Sequence, residues 1–193
     1  MKLGIFGGSF NPPHQMHYML VKQLLEKIEL DKIIVIPTGS TYPKDGLIPA
    51  HHRLQMLELL FQDVPNVIIS DYERKDQVTY TYQTLAYFQQ QYPEATLYFI
   101  CGSDNLRELY WWERHDEMLK HYHFIVIPRN GDQIAELEQL YPEYQDHIHF
   151  VKLPLIAISS TEVRQKIKAG LAPVSELNPA VWKYIQKHHF YRE

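Results

Sequence analysis

The sequence predicts an α/β protein: a Rossmann-like, doubly wound, mostly parallel sheet with helices on both faces and a helical segment at the C-terminal end. Three observations carry this expectation. Short β-rich apolar runs alternate with stretches of helical periodicity. Turn residues close those runs at Gly7-Gly8, Pro37-Thr38-Gly39, Gly102-Ser103-Asp104 and Pro128-Arg129. Ligands in such sheets bind at the carboxyl ends of strands, near the point where strand order reverses.

The elements follow in order. Leu3 to Phe6 reads as a first strand and Met16 to Glu29 as a helix. Lys32 to Ile36 is a second strand. His51 to Phe61 carries Leu54, Leu57 and Phe61 at helical spacing. Val67 to Ser70 is a short strand, and Tyr82 to Gln91 a helix stopped by Tyr92-Pro93. Thr96 to Cys101 and His123 to Ile127 are strands, and His147 to Leu153 is a candidate last one. Ser159-Ser160-Thr161-Glu162 has the form of a capping box with Ser159 as N-cap. Gly170 then stops that helix, with Pro173 soon after. Asn178-Pro179 opens a final helix as N-cap and first helical residue. The expected organisation is one domain over residues 1–193, with about 155–193 a helical appendage of it.

Composition narrows the classes. Hydrophobic residues make up 45% of the chain, enough for a sizeable core, and no apolar run reaches the roughly eighteen residues of a membrane span. Met1-Lys2 leads straight into strand, without a secretory apolar region. Cys101, the single cysteine, sits in an apolar run and reads as a buried thiol. A reducing, cytoplasmic setting fits these features. Net charge is −4 and the basic residues are scattered, which argues against a nucleic-acid partner. Neither nucleic acid nor membrane is expected as a partner, and oligomeric state stays open.

The chemistry concentrates in two places. The first runs Gly4-Ile5-Phe6-Gly7-Gly8-Ser9-Phe10-Asn11-Pro12-Pro13-His14-Gln15-Met16-His17. Gly7 and Gly8 let backbone N–H groups come close to a ligand. The helix start adds free N–H donors and the positive end of its dipole. His14 and His17, expected on one face of the first turn, would donate to a phosphate there. Ordinary packing or capping, and a zinc site lacking further nearby ligands, are the alternatives. The second place is Ile158-Ser159-Ser160-Thr161-Glu162-Val163-Arg164, where Ser160 and Arg164 share a helix face and could cradle a second phosphate. Two cradles in one small α/β domain suggest a triphosphate gripped from both sides.

Other residues are candidates. Gly102-Ser103-Asp104 could hold a ribose through Asp104, or simply cap a helix. Trp111 and Trp112 offer an indole for stacking on a flat ligand, or pack in the core. Thr81 is a strand residue or an N-cap. Lys44 and Arg53 are candidate anion contacts.

Gly7-Gly8-Ser9-Phe10-Asn11-Pro12 with His14-x-x-His17, joined to the 158–164 motif, resembles the HxGH nucleotidyltransferase superfamily. Within it the chain is similar to bacterial nicotinate-nucleotide adenylyltransferases. The further matches are His52-Arg53-Leu54-Gln55-Met56-Leu57, Tyr80-Thr81-Tyr82-Gln83-Thr84-Leu85, Gly102-Ser103-Asp104-Asn105-Leu106 with Trp112, and the Pro179 to Tyr191 ending. They are collinear over nearly the whole chain. The resemblance implies AMP transfer from ATP to nicotinate mononucleotide, with Mg²⁺ carried by ATP and no metal held by protein residues. By that resemblance Gly7, Gly8, Ser9, Phe10, His14 and His17 hold and activate the ATP phosphates. Ser160 and Arg164 bind the leaving phosphates, and Gly102, Asp104 and Arg129 line the adenosine pocket. Thr81 and Trp112 hold the nicotinate ring, and Lys44 matches the lysine of the family's Pro-Pro-His-Lys stretch. The chain departs from the family pattern at Met16 (usually glycine), at Asn11 (often aspartate) and over Tyr42-Pro43-Lys44-Asp45-Gly46 (usually Pro-Pro-His-Lys). Nicotinamide mononucleotide and phosphopantetheine are rival acceptors. A non-catalytic nucleotide sensor and a histidine-metal hydrolase are rivals of other classes.

Overall fold

The computed structural model describes residues 1–41, 45–73, 78–154 and 156–192. Their strands are β1 (Lys2–Gly8), β2 (Lys32–Pro37), β3 (Val67–Ile69), β4 (Thr96–Gly102), β5 (His123–Ile127) and β6 (Ile148–Phe150). They form one sheet in the order β3-β2-β1-β4-β5-β6, parallel at every pairing. The chain builds outward from β1 to β3, then returns to β4 on the other flank of β1. The reversal leaves a crevice beyond the carboxyl ends of β1 and β4.

Parallel neighbours require crossovers, and helices supply them. These are α1 (Gln15–Lys27), α2 (Ala50–Phe61), α3 (Thr81–Gln91), α4 (Ser103–Glu108), α5 (His115–His121) and α6 (Ile134–Glu138). After β6 come α7 (Ser160–Lys168) and α8 (Pro179–His188). The last strand is shorter than expected: residues Pro142–His147 wind into a 3₁₀ turn, leaving Ile148–Phe150 to pair with β5. Helices α4, α5 and α6 occupy stretches where the sequence shows no helical period. At five to seven residues each, they are too short to display one.

Alternate strand residues point to opposite faces and make two cores. Leu3, Ile5, Ile34, Ile36, Phe99 and Phe124 meet α3 to α6 through Leu85, Leu106, Leu119 and Leu137. Cys101 is in this core, where burial pushes its thiol pKa up to about 12. Phe6, Ile33, Val35, Ile100 and Ile125 meet α1, α2, α7 and α8 on the other face. Val163, Ile167, Val181 and Ile185 are buried there. At about 1.5–3 kcal/mol for each apolar side chain taken out of water, they seat α7 and α8 against the sheet.

The caps at this end form as expected. Ser159 Oγ accepts from Glu162 N at 3.1 Å while Ser159 N donates to Glu162 Oε2 at 3.0 Å. Asn178 Oδ1 accepts from Ala180 N at 2.8 Å. Gly170, at φ +74°, ends α7 in the left-handed region that suits glycine. No helix among the described residues is long and apolar enough to cross a membrane.

Candidate active site

The loop after β1 is built on a buried aromatic. Phe10 takes a positive φ of 44°, costly for a bulky residue, and its ring is 2% exposed. The ring packs edge-on to Phe6 at 5.3 Å and to His17 at 4.9 Å. A Cβ at Gly8 would stand 3.1 Å from that ring, whereas one at Gly7 would meet nothing within 4 Å. Glycine at position 8 therefore makes room for Phe10, and the space above Gly7 is open to a ligand. Of the residues expected to meet phosphate, Phe10 presents no exposed side chain. What it offers is backbone, and a seat for His17.

His14 and His17 come together by a different route from a shared helix face. His14 is the N-cap of α1, with extended dihedrals (φ −145°, ψ 176°), and His17 lies three residues on. Their rings stack with centroids 3.8 Å apart. His14 N donates to His17 Nδ1 at 3.1 Å, so the neutral His17 ring carries its proton on Nε2. Burial lowers the His14 pKa to about 4, against a smaller opposing pull from Glu162. Burial, then the neighbouring His14 and Arg129, hold His17 well below its ordinary value. Both rings are thus neutral at pH 7. His14 Nδ1 is buried without a partner among the described residues. A buried polar atom left this way is a candidate ligand contact.

The second motif docks on the first. Ser160 Oγ donates to Pro12 O at 2.9 Å, and Arg164 donates from one terminal nitrogen to Asn11 O at 2.8 Å. The other terminal nitrogen reaches Thr161 Oγ1 at 3.2 Å. The N-terminus of α7 and the N-terminus of α1 therefore flank one corner, residues 11–14. Met16 packs against the core beneath α1.

Beyond β4, Gly102 is the N-cap of α4, and a Cβ there would overlap Asp104 Oδ1 and crowd Arg129. Arg129 grips Asp104 with two bonds, Nε to Oδ1 at 3.2 Å and a terminal nitrogen to Oδ2 at 3.1 Å. Its backbone N donates to Asp132 Oδ2 at 2.7 Å and to Ser103 Oγ at 3.2 Å. Hydrogen bonds from Arg107 and Ser103 hold the Asp132 carboxyl down at about 2. The β4 and β5 ends thus present a charged pair on rigid backbone.

Thr81 is the first residue of α3, and Tyr80 is its N-cap, with Tyr80 N donating to Gln83 Oε1 at 2.9 Å. Trp112 follows the 3₁₀ turn after α4 and packs edge-on to Phe99 at 5.9 Å. Trp111 is 76% exposed beside Tyr110. The Arg114 guanidinium lies 4.9 Å above the Tyr82 ring, joining the Trp112 turn to the start of α3. Lys44 lies outside the described residues.

Arg53 is not an anion contact. It is fully buried, with Nε donating to Ile48 O at 2.8 Å and its terminal nitrogens to Ser9 O at 2.9 Å and Thr38 O at 2.6 Å. Burial lowers its pKa to about 10. The side chain ties the loops after β1 and β2 together beneath the crevice. Glu73 gives no signal in the sequence, yet its Oε1 accepts from Thr84 Oγ1 at 2.7 Å and burial raises its pKa to about 6. A lone carboxylate ahead of a threonine on the next helix carries no visible pattern. Among the described residues no group of three or more His, Cys, Asp or Glu side chains is placed to hold a metal ion.

Residues 5–166 match the cytidylyltransferase-like family, a span that contains both motifs. The chain belongs to the cytidylyltransferase-like family. Relatives of this cytidylyltransferase-like protein align end to end. One from Caldicellulosiruptor bescii, named a probable nicotinate-nucleotide adenylyltransferase, is 36% identical and covers 100% of both chains. Another of that name from Carboxydothermus hydrogenoformans is 37% identical over 99% of this chain and 98% of its own. Among solved structures, the Plasmodium falciparum nicotinic acid mononucleotide adenylyltransferase complexed with NaAD superposes with a TM-score of 0.85. It covers 98% of this chain and 97% of its own at 23% identity, a likeness of fold.

Proposed function

We propose that the protein is a nucleotidyltransferase of NAD biosynthesis. It transfers AMP from ATP to nicotinate mononucleotide, giving nicotinate adenine dinucleotide and pyrophosphate. The observation that carries this reading is the docking of Arg164 and Ser160 onto Asn11 and Pro12, at 2.8 and 2.9 Å. It gathers two histidines, a guanidinium and two helix N-termini around one corner, the donor set a triphosphate needs. The end-to-end relatives named for this activity support the choice of acceptor.

The geometry supports the following roles. Gly7, Gly8, Ser9 and the backbone of Phe10 approach the phosphates, and His17 donates from Nε2 to the oxygens of the α-phosphate. A neutral donor placed there stabilises charge as it builds. His14, with its unpartnered Nδ1, contacts the same phosphates. Arg164 and Ser160 hold the β- and γ-phosphates as they depart. Gly102, Asp104 and Arg129 border the adenosine, over the β4/β5 half of the crevice. The acceptor's ring lies against Trp112 and Thr81, beside β4, and its phosphate lies toward the loop after β2.

No general base is required. The acceptor phosphate is mostly ionised at pH 7, its second pKa being about 6. One of its oxygens forms the bond to the α-phosphorus in line with the breaking bond, whose electrons leave with pyrophosphate. The donors present are imidazoles, guanidiniums and backbone N–H groups, and Asp104 is engaged by Arg129. That set suits Mg²⁺ arriving as part of the MgATP substrate, where it offsets phosphate charge. It does not provide a carboxylate cage for the ion. The segment 155–193 belongs to the same domain in this reading, because it supplies Ser160 and Arg164.

The test is pyrophosphate release from MgATP with nicotinate mononucleotide, nicotinamide mononucleotide, phosphopantetheine or no acceptor. Strong preference for the nicotinate form is expected, and His17→Ala should cut that turnover at least about a hundredfold. ATP binding without release for any acceptor would mark a sensor instead. Preference for another acceptor would keep the mechanism and change the product.

A further inference from the structure

Asn11 sits where three distant parts of the chain meet. Its side chain is fully buried and its polar atoms are engaged. Nδ2 donates to Gly46 O at 2.8 Å. Oδ1 accepts from the Tyr191 hydroxyl at 2.7 Å and from Ile48 N at 3.4 Å. Its main-chain oxygen accepts from Arg164 at 2.8 Å. Gly46 and Ile48 belong to the loop between β2 and α2, Arg164 to α7, and Tyr191 to the segment after α8. Burial raises the Tyr191 pKa, while the charges of Arg164 and Arg53 pull the other way.

The chemistry of this junction asks for an amide. Gly46 offers a carbonyl, which needs a donor, and Tyr191 and Ile48 offer donors, which need an acceptor. An aspartate would set a carboxylate oxygen against the Gly46 carbonyl. Alanine would leave Gly46 O and the Tyr191 hydroxyl without their partner. A role in forming the turn alone would place no such demand on the side chain.

We infer that Asn11, braced by Tyr191, is a positioning residue that fixes the Gly46–Ile48 loop against the phosphate corner and so sets how the acceptor approaches ATP. It acts through that loop, not on the reacting atoms. The inference rests on the reading above that the acceptor phosphate lies toward the loop after β2.

Two measurements test it. The first is steady-state kinetics of wild type, Asn11→Asp, Asn11→Ala, Tyr191→Phe and the Asn11→Ala/Tyr191→Phe double variant, with ATP binding measured separately without acceptor. Asn11→Ala should raise the acceptor KM about tenfold, the factor one lost buried hydrogen bond gives, and Asn11→Asp by more. ATP affinity should stay within about twofold. Tyr191→Phe should raise the acceptor KM by a smaller factor and add nothing in the Asn11→Ala background, because it acts through Asn11. A parallel loss of ATP affinity, or full additivity of the two variants, would overturn the inference.

The second measurement is backbone hydrogen exchange of ligand-free protein. In Asn11→Asp, or in Tyr191→Phe should the first not fold, exchange should quicken at residues 45–48 and hold steady in the strands. Unchanged exchange in that loop would equally overturn the inference. This readout needs no turnover, so a wrong acceptor in the functional reading cannot be mistaken for a wrong junction.

Discussion

His14 and His17 lose their charge to burial and remain as neutral imidazoles at the corner after β1, which gives the protein a defined response to pH. The His14 pKa is about 4 in the fold and 6.5 when exposed. Between those values the unfolded chain binds more protons, so His14 favours the fold above 6.5 and its contribution is lost as pH falls toward 4. Glu73 works the other way. Burial raises its pKa from 4.5 to about 6, so its protonated form favours the fold and that contribution fades as pH rises from 4.5 to 6. Glu73→Gln keeps an oxygen for Thr84 Oγ1 and removes the buried charge. We expect it to raise Tm by a few degrees at pH 7 and to leave Tm unchanged at pH 4.5. An equal shift at both pH values would show that packing, not charge, governs the site. At this scale the histidines were legible in the sequence because glycine, proline and histidine together make an uncommon string. The stacking of the two rings was not, since it depends on His14 leaving the helix to become its N-cap. Asn11 reads in sequence as a turn residue, because its partners lie 35 to 180 residues away.

Between elements, the buried guanidinium of Arg53 does what no strand or helix can do alone. It joins Ser9, Thr38 and Ile48, three carbonyls from two loops that border the crevice. Arg53→Met fills similar space but supplies no donor, so three part-buried carbonyls lose the guanidinium. We expect a loss of about 3 kcal/mol in urea unfolding, with activity reduced in the folded fraction. A loss under about 1 kcal/mol would mean that water replaces the guanidinium. The sequence marks Arg53 only as a cation early in a helix, the same mark a solvated charge leaves. Caps were easier. Ser159 with Glu162, Gly170 and Asn178-Pro179 each declare a helix end through local chemistry, and each forms there. The five- to seven-residue helices α4, α5 and α6 are too short to show a period; Gly102-Ser103-Asp104 offers a cap for α4 alone, and tertiary packing reveals the other two.

For the whole molecule, alternation of strands and helices predicted the layers, while the strand order had to come from the structure. Whether the chain returns to the left or right flank of β1 is decided by crossover packing, which no local run of residues records. That return creates the crevice. The packing of α7 and α8 onto the α1/α2 face then brings Ser160 and Arg164 to the loop after β1. In the function proposed, this corner transfers the adenylyl group of ATP intact to a pyridine mononucleotide. The most direct measurement is the fate of a label on the α-phosphate of ATP, followed with nicotinate mononucleotide present. The α label should enter a dinucleotide while a γ label leaves in pyrophosphate. Recovery of the α label in free AMP, or of the γ label on the acceptor, would contradict it.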